Sequence, residues 1–335
     1  MTNQVLLTVE ATSKLIREGK ILSLAGDEKL LSQLPKGNWI GGSIPYFMGD
    51  EGGVETSDLL FVTELSGAVS ANAVSIKTYS VDTIHTIATD APENGYTIVI
   101  LPAMSAIHAD YANHARDFDD MFIKPVVGWI AGVHLSNLGT ITPKVANGVT
   151  GEILDAQAVA LHVALPENKL AVVHILNLFR QDTDGDIITF PATGFTAINC
   201  KVNGQDRVFA DYIAEKNLSS KLPLVADYSG AQINTSFQEI NHDSKKVSFY
   251  APVFEGIEYR QAAQVGDYVH DFNALAEGEH QHIQFSCNCI LNYLYGELQG
   301  RKTGDLQGPI TFGEVAYQLL NQTLVYLDIE THTPD

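Results

Sequence analysis

Basic residues are scarce in this chain. Against 40 Asp and Glu there are only 20 Lys and Arg, giving a formal net charge of −20 over 335 residues. A nucleic-acid binder neutralises phosphates with clustered Lys and Arg, so no nucleic-acid partner is expected. Docking on an anionic membrane surface is disfavoured on the same ground. The acidity reads as solubility rather than as an acidic docking face. Cysteine is almost lacking too: Cys200, Cys287 and Cys289 are too few for a disulfide framework and leave one over. That fits a reducing cytoplasm. Long hydrophobic runs are missing. The longest, such as Ala158–Leu165 and Leu170–Leu176, reach eight residues or fewer, against the ~20 that cross a bilayer. The opening Met-Thr-Asn-Gln-Val-Leu-Leu-Thr-Val-Glu has no basic region followed by an apolar one, so no signal peptide is expected.

What the chain does have is apolar material. Hydrophobic residues make up 45% and charged residues 18%, enough for a sizeable core. A chain this long has two domains as its default expectation. Helices are expected at Val9–Glu18, Asp27–Leu34, Asp82–Thr89, Ser105–Phe118, Arg207–Glu215 and near Asp267–Ala276. Strands are expected at Ile21–Ala25, Asn38–Ser43, Leu59–Glu64, Val74–Tyr79, Tyr96–Leu101, Pro125–Val133 and Ile187–Ile198. Ala156–Leu165 and Leu170–Phe179 read as a strand pair joined by Pro166-Glu-Asn-Lys, and Asn203-Gly204 as a hairpin turn. Ile21–Ser43 and Ile98–Val133 echo each other, each running strand, helix, then a strand with Trp-Ile-Gly-Gly or Trp-Ile-Ala-Gly. A duplicated unit and a coincidence of common residues both explain two matches. The expected fold class is α+β, two closely packed parts with mixed β-sheets flanked by helices, split into 1–205 and 206–330.

Ile283–Tyr326 concentrates small polar residues in an apolar region. A buried strand there is expected to run into a helix carrying Cys287, Asn288, Cys289 and Asn292 in its first turns. On that helix Asn288 and Asn292 share a face, and Glu314, Asn321 and Thr323 lie in the neighbouring turn and strand. A pocket is mostly apolar with a few convergent polar groups, and this set can supply them; capping and turn chemistry is the other reading. A helix start lowers a thiol pKa, which makes Cys287 a candidate reactive group, although small apolar packing explains both cysteines. His280 and His282 face away from Cys287 on a strand, and Cys-x-Cys lacks the usual zinc spacing. No metal is expected. Asp182, Asp184 and Asp186 resemble a calcium loop, but Ile187 and Thr193 stand where it needs Gly and Glu. Gly41, Gly42 and Ser43 are candidate ligand contacts with Gly128, since glycine lets backbone N–H groups face a cleft or carry a tight turn. Pro45 breaks the Gly-x-Ser-x-Gly pattern of a serine hydrolase. Arg180 and Arg260 sit on apolar strands, where each can pair with a ligand carboxylate or with one of the many acids.

Four stretches, in order, resemble the FIST family. They are Pro125-Val-Val-Gly-Trp-Ile-Ala-Gly; Ile188-Thr-Phe-Pro-Ala-Thr-Gly-Phe-Thr-Ala-Ile-Asn through Val202–Tyr212; Val247-Ser-Phe-Tyr-Ala-Pro-Val-Phe-Glu-Gly-Ile-Glu-Tyr-Arg-Gln-Ala; and Phe285-Ser-Cys with Phe312-Gly-Glu before Asn321-Gln-Thr-Leu. The likeness covers residue 96 to the end, with 1–95 more divergent. It implies a mostly bacterial, non-catalytic sensory domain that binds a small molecule, such as an amino acid. It also implies signalling through a separate kinase or cyclic-dinucleotide enzyme, because the chain has no room for an attached one. Some FIST members bind heme, and His108, His114, His162 and His174 are the histidines on expected helices and strands that such a gas sensor would draw on. A protein-interaction role and an enzyme with Cys287 or Ser43 as nucleophile are the other classes in play.

Overall fold

The computed structural model describes residues 4–65, 73–228, 230–276 and 283–331. The chain is mostly β, in five mixed or antiparallel sheets with a few short helices. Mixed sheets are as expected, and helix content is lower. Asp82–Thr89 holds only a 3₁₀ turn at Ile84–Thr86, and Asp27–Leu34 only the helix Glu28–Leu31. The longer helices begin where a side chain meets an orphan N–H: Thr8 Oγ1 accepts from Ala11 N before Val9–Arg17, and Ser105 Oγ from His108 N before Ala106–His114. By contacts the chain forms two compact units. The first takes the chain up to Leu176, then Ala276–Leu319 and from Leu324 on; the second is Asn177–Leu275 with Leu320–Thr323.

The first unit holds three six-stranded sheets with one wiring. One sheet orders Gln4–Leu7, Leu60–Glu64, Leu22–Gly26, Trp39–Ser43, Val145–Asn147 and Glu152–Leu154. The next orders Val74–Tyr79, Ala158–Ala164, Gly95–Pro102, Val126–Ala131, Glu314–Ala316 and Gln318–Leu320. The third orders Lys169–Leu176, Leu324–Thr331, Ile283–Cys289, Gly308–Thr311, Tyr46–Gly49 and Gly52–Glu55. In each sheet the third and fourth strands are parallel, and the strands joining them on either side are antiparallel. A parallel neighbour needs a crossover, and each crossover carries a helix: Glu28–Leu31, Ala106–His114 or Ile290–Tyr295.

The last two strands of every sheet come from a different third of the unit. Tyr46–Glu55 follows the fourth strand of the first sheet and completes the third; Val145–Leu154 follows that of the second and completes the first; Glu314–Leu320 follows that of the third and completes the second. The echo read in Ile21–Ser43 and Ile98–Val133 is thus a real duplication of structure, with a third copy. A glycine sits near the end of the post-crossover strand each time: Gly42 just before Ser43, Gly132 just after Ala131 and Gly313 two residues after Thr311. There Gly132 N donates to Ser43 O (2.8 Å) and Ile130 N to Gly313 O (2.9 Å). The expected pairing of Ala156–Leu165 with Leu170–Phe179 does not occur. Ala158–Ala164 pairs with Gly95–Pro102 and Val74–Tyr79, while Lys169–Leu176 pairs with Leu324–Thr331. The turn between them passes from one sheet to the next.

In the second unit one antiparallel sheet orders Gln205–Val208, Asn199–Val202, Ile188–Thr189, Tyr259–Gln261, Leu224–Tyr228 and Ala231–Thr235. A three-stranded sheet orders Gly194–Ala197, Lys246–Val253 and Phe237–Asn241. The expected strand Ile187–Ile198 is therefore two strands in two sheets. Asn203 (φ 48°) and Gly204 (φ 81°) make the hairpin turn with the left-handed backbone that such turns need. The helix Phe209–Lys216 buries Phe209, Tyr212 and Ile213 among Phe190, Phe237 and Phe249.

Candidate functional site

Most residues expected to line a site are engaged in holding the fold. A Cβ on Gly42 would lie 2.7 Å from Ile100 Cγ2 and from the Trp129 ring, and one on Gly128 only 1.9 Å from Val99 O. Gly41 is packed on Leu31 and Trp39 in the same way. These glycines permit close strand approach. Arg180 donates to the carbonyls of Asn177 and Phe179, and Arg260 to those of Thr183 and Gly185. Each arginine therefore ties backbone in the second unit. Asp182 and Asp186 hold the same turn: Asp182 Oδ1 accepts from Asp184 N, and Asp186 accepts from Asn203 Nδ2 and the Tyr212 hydroxyl.

The polar stretch sorts by unit. In the first, the strand Ile283–Cys289 carries both cysteines and Asn288, and the helix begins only at Ile290. The expected helix-start cysteine is corrected: Cys287 lies within a strand, fully buried, and burial, with Glu314 close by, pushes its thiol well above the ordinary range. Its Sγ contacts Gly128 O at 3.4 Å. Asn292 Nδ2 still reaches Asn288 Oδ1 (2.9 Å), which also accepts from Cys289 N (2.8 Å). Thr311 Oγ1 lies 3.3 Å from Glu314 Oε1, and both residues are buried. In the second unit Asn321 Oδ1 accepts from Ser236 N (3.0 Å) and Ser236 Oγ (2.6 Å), beside a reciprocal Asn177–Asn234 amide pair; Thr323 is buried. Both groups are knots of internal hydrogen bonds. His280 and His282 lie outside the described residues.

The histidines weighed for heme are each in contact with protein groups. His162 is buried between the Tyr79 hydroxyl and Thr97 Oγ1, each 2.8 Å from a ring nitrogen. His114 meets Asp110, His174 stacks on Tyr326, and His108 Nδ1 accepts from Met104 N. Among the described residues no three His, Cys, Asp or Glu converge as a metal set.

Ser43 leads elsewhere. Its hydroxyl donates to Gly132 O and accepts from Lys144 N, both at 2.8 Å, and it forms part of the floor of a cleft of about 620 Å³ in the first unit. The cleft opens where the parallel strands Leu22–Gly26 and Trp39–Ser43 end, the place where open α/β sheets bind ligands. Ser43, Ile44, Pro45, Gly132 and Val133 form a buried floor, and the walls carry Asp27, Glu28, Lys29, Glu55, Asp58 and His134. On one wall His134 Nε2 meets Glu55 Oε1 (2.9 Å), and Ser136 Oγ lies 2.6 Å from His134 Nδ1. Ser136 N also donates to Nδ1 (3.1 Å), so Nδ1 is the acceptor and the proton sits on Nε2, facing the carboxylate. The Tyr46 ring stacks on the imidazole at 5.8 Å, and its hydroxyl accepts from Leu135 N. Burial, with Glu55 close by, raises the hydroxyl pKa of Tyr46, and pushes that of Tyr293 up to about 12. Sequence reading singled out none of Glu55, His134 or Ser136. Glu55 and His134 are far apart in the chain, and no local pattern joins them.

The chain matches one protein family over residues 7–330. It belongs to DUF6976, a family of unknown function. That membership overturns the FIST resemblance: a single DUF6976 match runs through all four stretches that carried it, and no FIST match occurs. Short strand-and-glycine stretches such as Val126–Ala131 arise wherever strands pack closely, which is why they misled. No curated protein and no solved structure matches this DUF6976 chain. No helix among the described residues is long and apolar enough to cross a membrane.

Proposed function

We propose that this DUF6976 protein binds a small molecule in the cleft above Ser43–Pro45 and Gly132–His134. The observation that carries the reading is the cleft itself, at the carboxyl ends of parallel strands, with an apolar floor and polar walls. Its walls carry Asp27, Glu28, Glu55 and Asp58 against the single lysine Lys29. That balance favours a ligand with a cationic amine, such as an amino acid or a related metabolite. A kinase or cyclic-dinucleotide partner had its support in the FIST resemblance alone and is no part of the proposal.

A thermal-shift screen of amino acids and simple amines tests it. A ligand at 100 times its Kd stabilises by about 2.7 kcal/mol, which raises the melting temperature measurably. Thr56→Trp, placed in the cleft wall, should abolish the rise while leaving the unliganded melting temperature near that of the native protein. If no amine or amino acid moves the melting point, the reading fails.

A further inference from the structure

Two side chains of the cleft wall, Glu55 and His134, and a third beside it, Ser136, form a relay that simple ligand binding does not need. Ser136 Oγ donates to His134 Nδ1 (2.6 Å), and His134 Nε2–H donates to Glu55 Oε1 (2.9 Å). Ser136 lies between His134 and Asn137, both of which line the cleft, and it is exposed while Glu55 and His134 are only partly covered. The imidazole is held from three directions: the Tyr46 ring on its face, Glu55 on Nε2, and the Ser136 backbone N–H on Nδ1. A hydroxyl, an imidazole within hydrogen-bond reach and a carboxylate orienting that imidazole make up the arrangement that activates a nucleophile. The ring nitrogens are exchanged relative to the serine-protease order, but the proton path is the same. Ser43 and Cys287, the nucleophiles the sequence suggested, are turned instead to backbone groups: Ser43 Oγ to Gly132 O and Lys144 N, and Cys287 Sγ to Gly128 O.

We infer that Ser136 is an acyl-accepting nucleophile, with His134 as its general base and Glu55 as the positioning residue, and that the cleft hydrolyses small carboxylic esters. The inference rests on the cleft being the ligand site and adds the reaction. Ser136 Oγ attacks the acyl carbon and its proton passes to His134 Nδ1. The bond from acyl carbon to alkoxy oxygen breaks, and the alkoxide leaves as the alcohol with that proton. Water then attacks the acyl carbon and gives a proton to Nδ1. The bond to Ser136 Oγ breaks, Ser136 regains its proton and the acid departs. Glu55 stabilises the imidazolium formed in both halves.

A fluorophosphonate probe and p-nitrophenyl acetate test this on the full chain. The expected result is one phosphonyl adduct mapping to Ser136 by peptide mass spectrometry, and ester hydrolysis that Ser136→Ala removes. His134→Ala should slow labelling by about 100-fold or more, as loss of a general base does, and added imidazole should restore part of the rate. Glu55→Gln should lower kcat about 10-fold with KM unchanged, and Glu55→Asp should recover most of it. No adduct at Ser136, or an adduct whose rate ignores His134→Ala, overturns the inference and leaves His134 as the cap of the Leu135–Asn137 turn. Should His134→Ala fail to fold, labelling of the unaltered protein against Ser136→Ala decides alone. An amine-induced rise in melting temperature in the same preparation then shows whether the binding reading survives a failed labelling.

Discussion

His162 shows how a single buried side chain sets a condition on the whole fold. It is 3% exposed, and its ring nitrogens are fixed by Tyr79 and Thr97. Tyr79 donates onward to Asp90, so it must accept from His162 Nε2–H, which leaves Nδ1 to accept from Thr97. Burial, aided by Lys77, lowers the His162 pKa from 6.5 to about 4. The unfolded chain therefore takes up a proton first. Stability falls as pH drops below about 6.5 and levels off below about 4, a loss of roughly 3 kcal/mol at about 1.36 kcal/mol per pH unit. Urea melts at pH 7 and pH 5 check this. His162→Gln should cost ~1–3 kcal/mol at pH 7, and the gap to the native protein should narrow at pH 5. The cysteines make a second residue-scale test. Cys200, Cys287 and Cys289 are all buried, and burial raises the Cys200 pKa to about 11. Iodoacetamide should leave all three unmodified in the native protein by intact mass and alkylate all three in denaturant; rapid native labelling of Cys287 would contradict its burial in the strand Ile283–Cys289.

At the scale of elements, the post-crossover strands depend on glycine for two different reasons. At Gly128 an added Cβ meets backbone, Val99 O at 1.9 Å, and strand pairing fixes that oxygen in place. At Gly132 it meets the Phe312 ring at 2.5 Å, a side chain that is only partly buried. Gly128→Ala should therefore destabilise by more than about 3 kcal/mol, whatever the residue at 312. The cost of Gly132→Ala should shrink by about 1 kcal/mol or more in a Phe312→Leu background. A denaturant double-mutant cycle separates the two. The same strands mark what local sequence could and could not reveal. Val126–Ala131 and Gly95–Pro102 were legible because unbroken apolar runs bounded by turns have few other readings. Their partners were not, because pairing is a long-range choice. That is why Leu170–Phe179 was matched to its chain neighbour instead of to Leu324–Thr331. Two copies of the repeat were legible through Trp39 and Trp129. The third was hidden because Ile310 stands three residues before Gly313, where the others have Trp before Gly42 and Gly132, and because Asn177–Leu275 is inserted between its first and third strands. Of the site, sequence found Ser43 on the cleft floor, but it missed Glu55, His134 and Ser136, which only the fold brings together.

Over the whole molecule, the exchange of hairpins makes the first unit indivisible. Each third of its chain supplies four strands to one sheet and two to another, so no third can satisfy its own edges. An unpaired edge strand is a liability in isolation, and a sheet without its hairpin also exposes core such as Trp39, Leu24 and Ala146. Residues 1–165 expressed alone would hold the first sheet complete. They would leave Val126–Ala131 without Glu314–Ala316, and Tyr46–Glu55 without Gly308–Thr311. That fragment should be aggregation-prone and bind the hydrophobic dye anilinonaphthalene sulfonate. Residues 166–335 should fare as badly, because their sheet lacks Tyr46–Glu55. Mixed in denaturant and refolded together, the two should recover one soluble complex with a single melting transition, since the break falls in the turn after Ala158–Ala164 and cuts no strand. If the 1–165 fragment instead folds alone, with native dispersion by NMR and no gain on adding its partner, the exchanged hairpins are ornaments on self-sufficient repeats. A single transition that appears only on mixing would show that the three thirds fold as one body, closed by strands each lends to another.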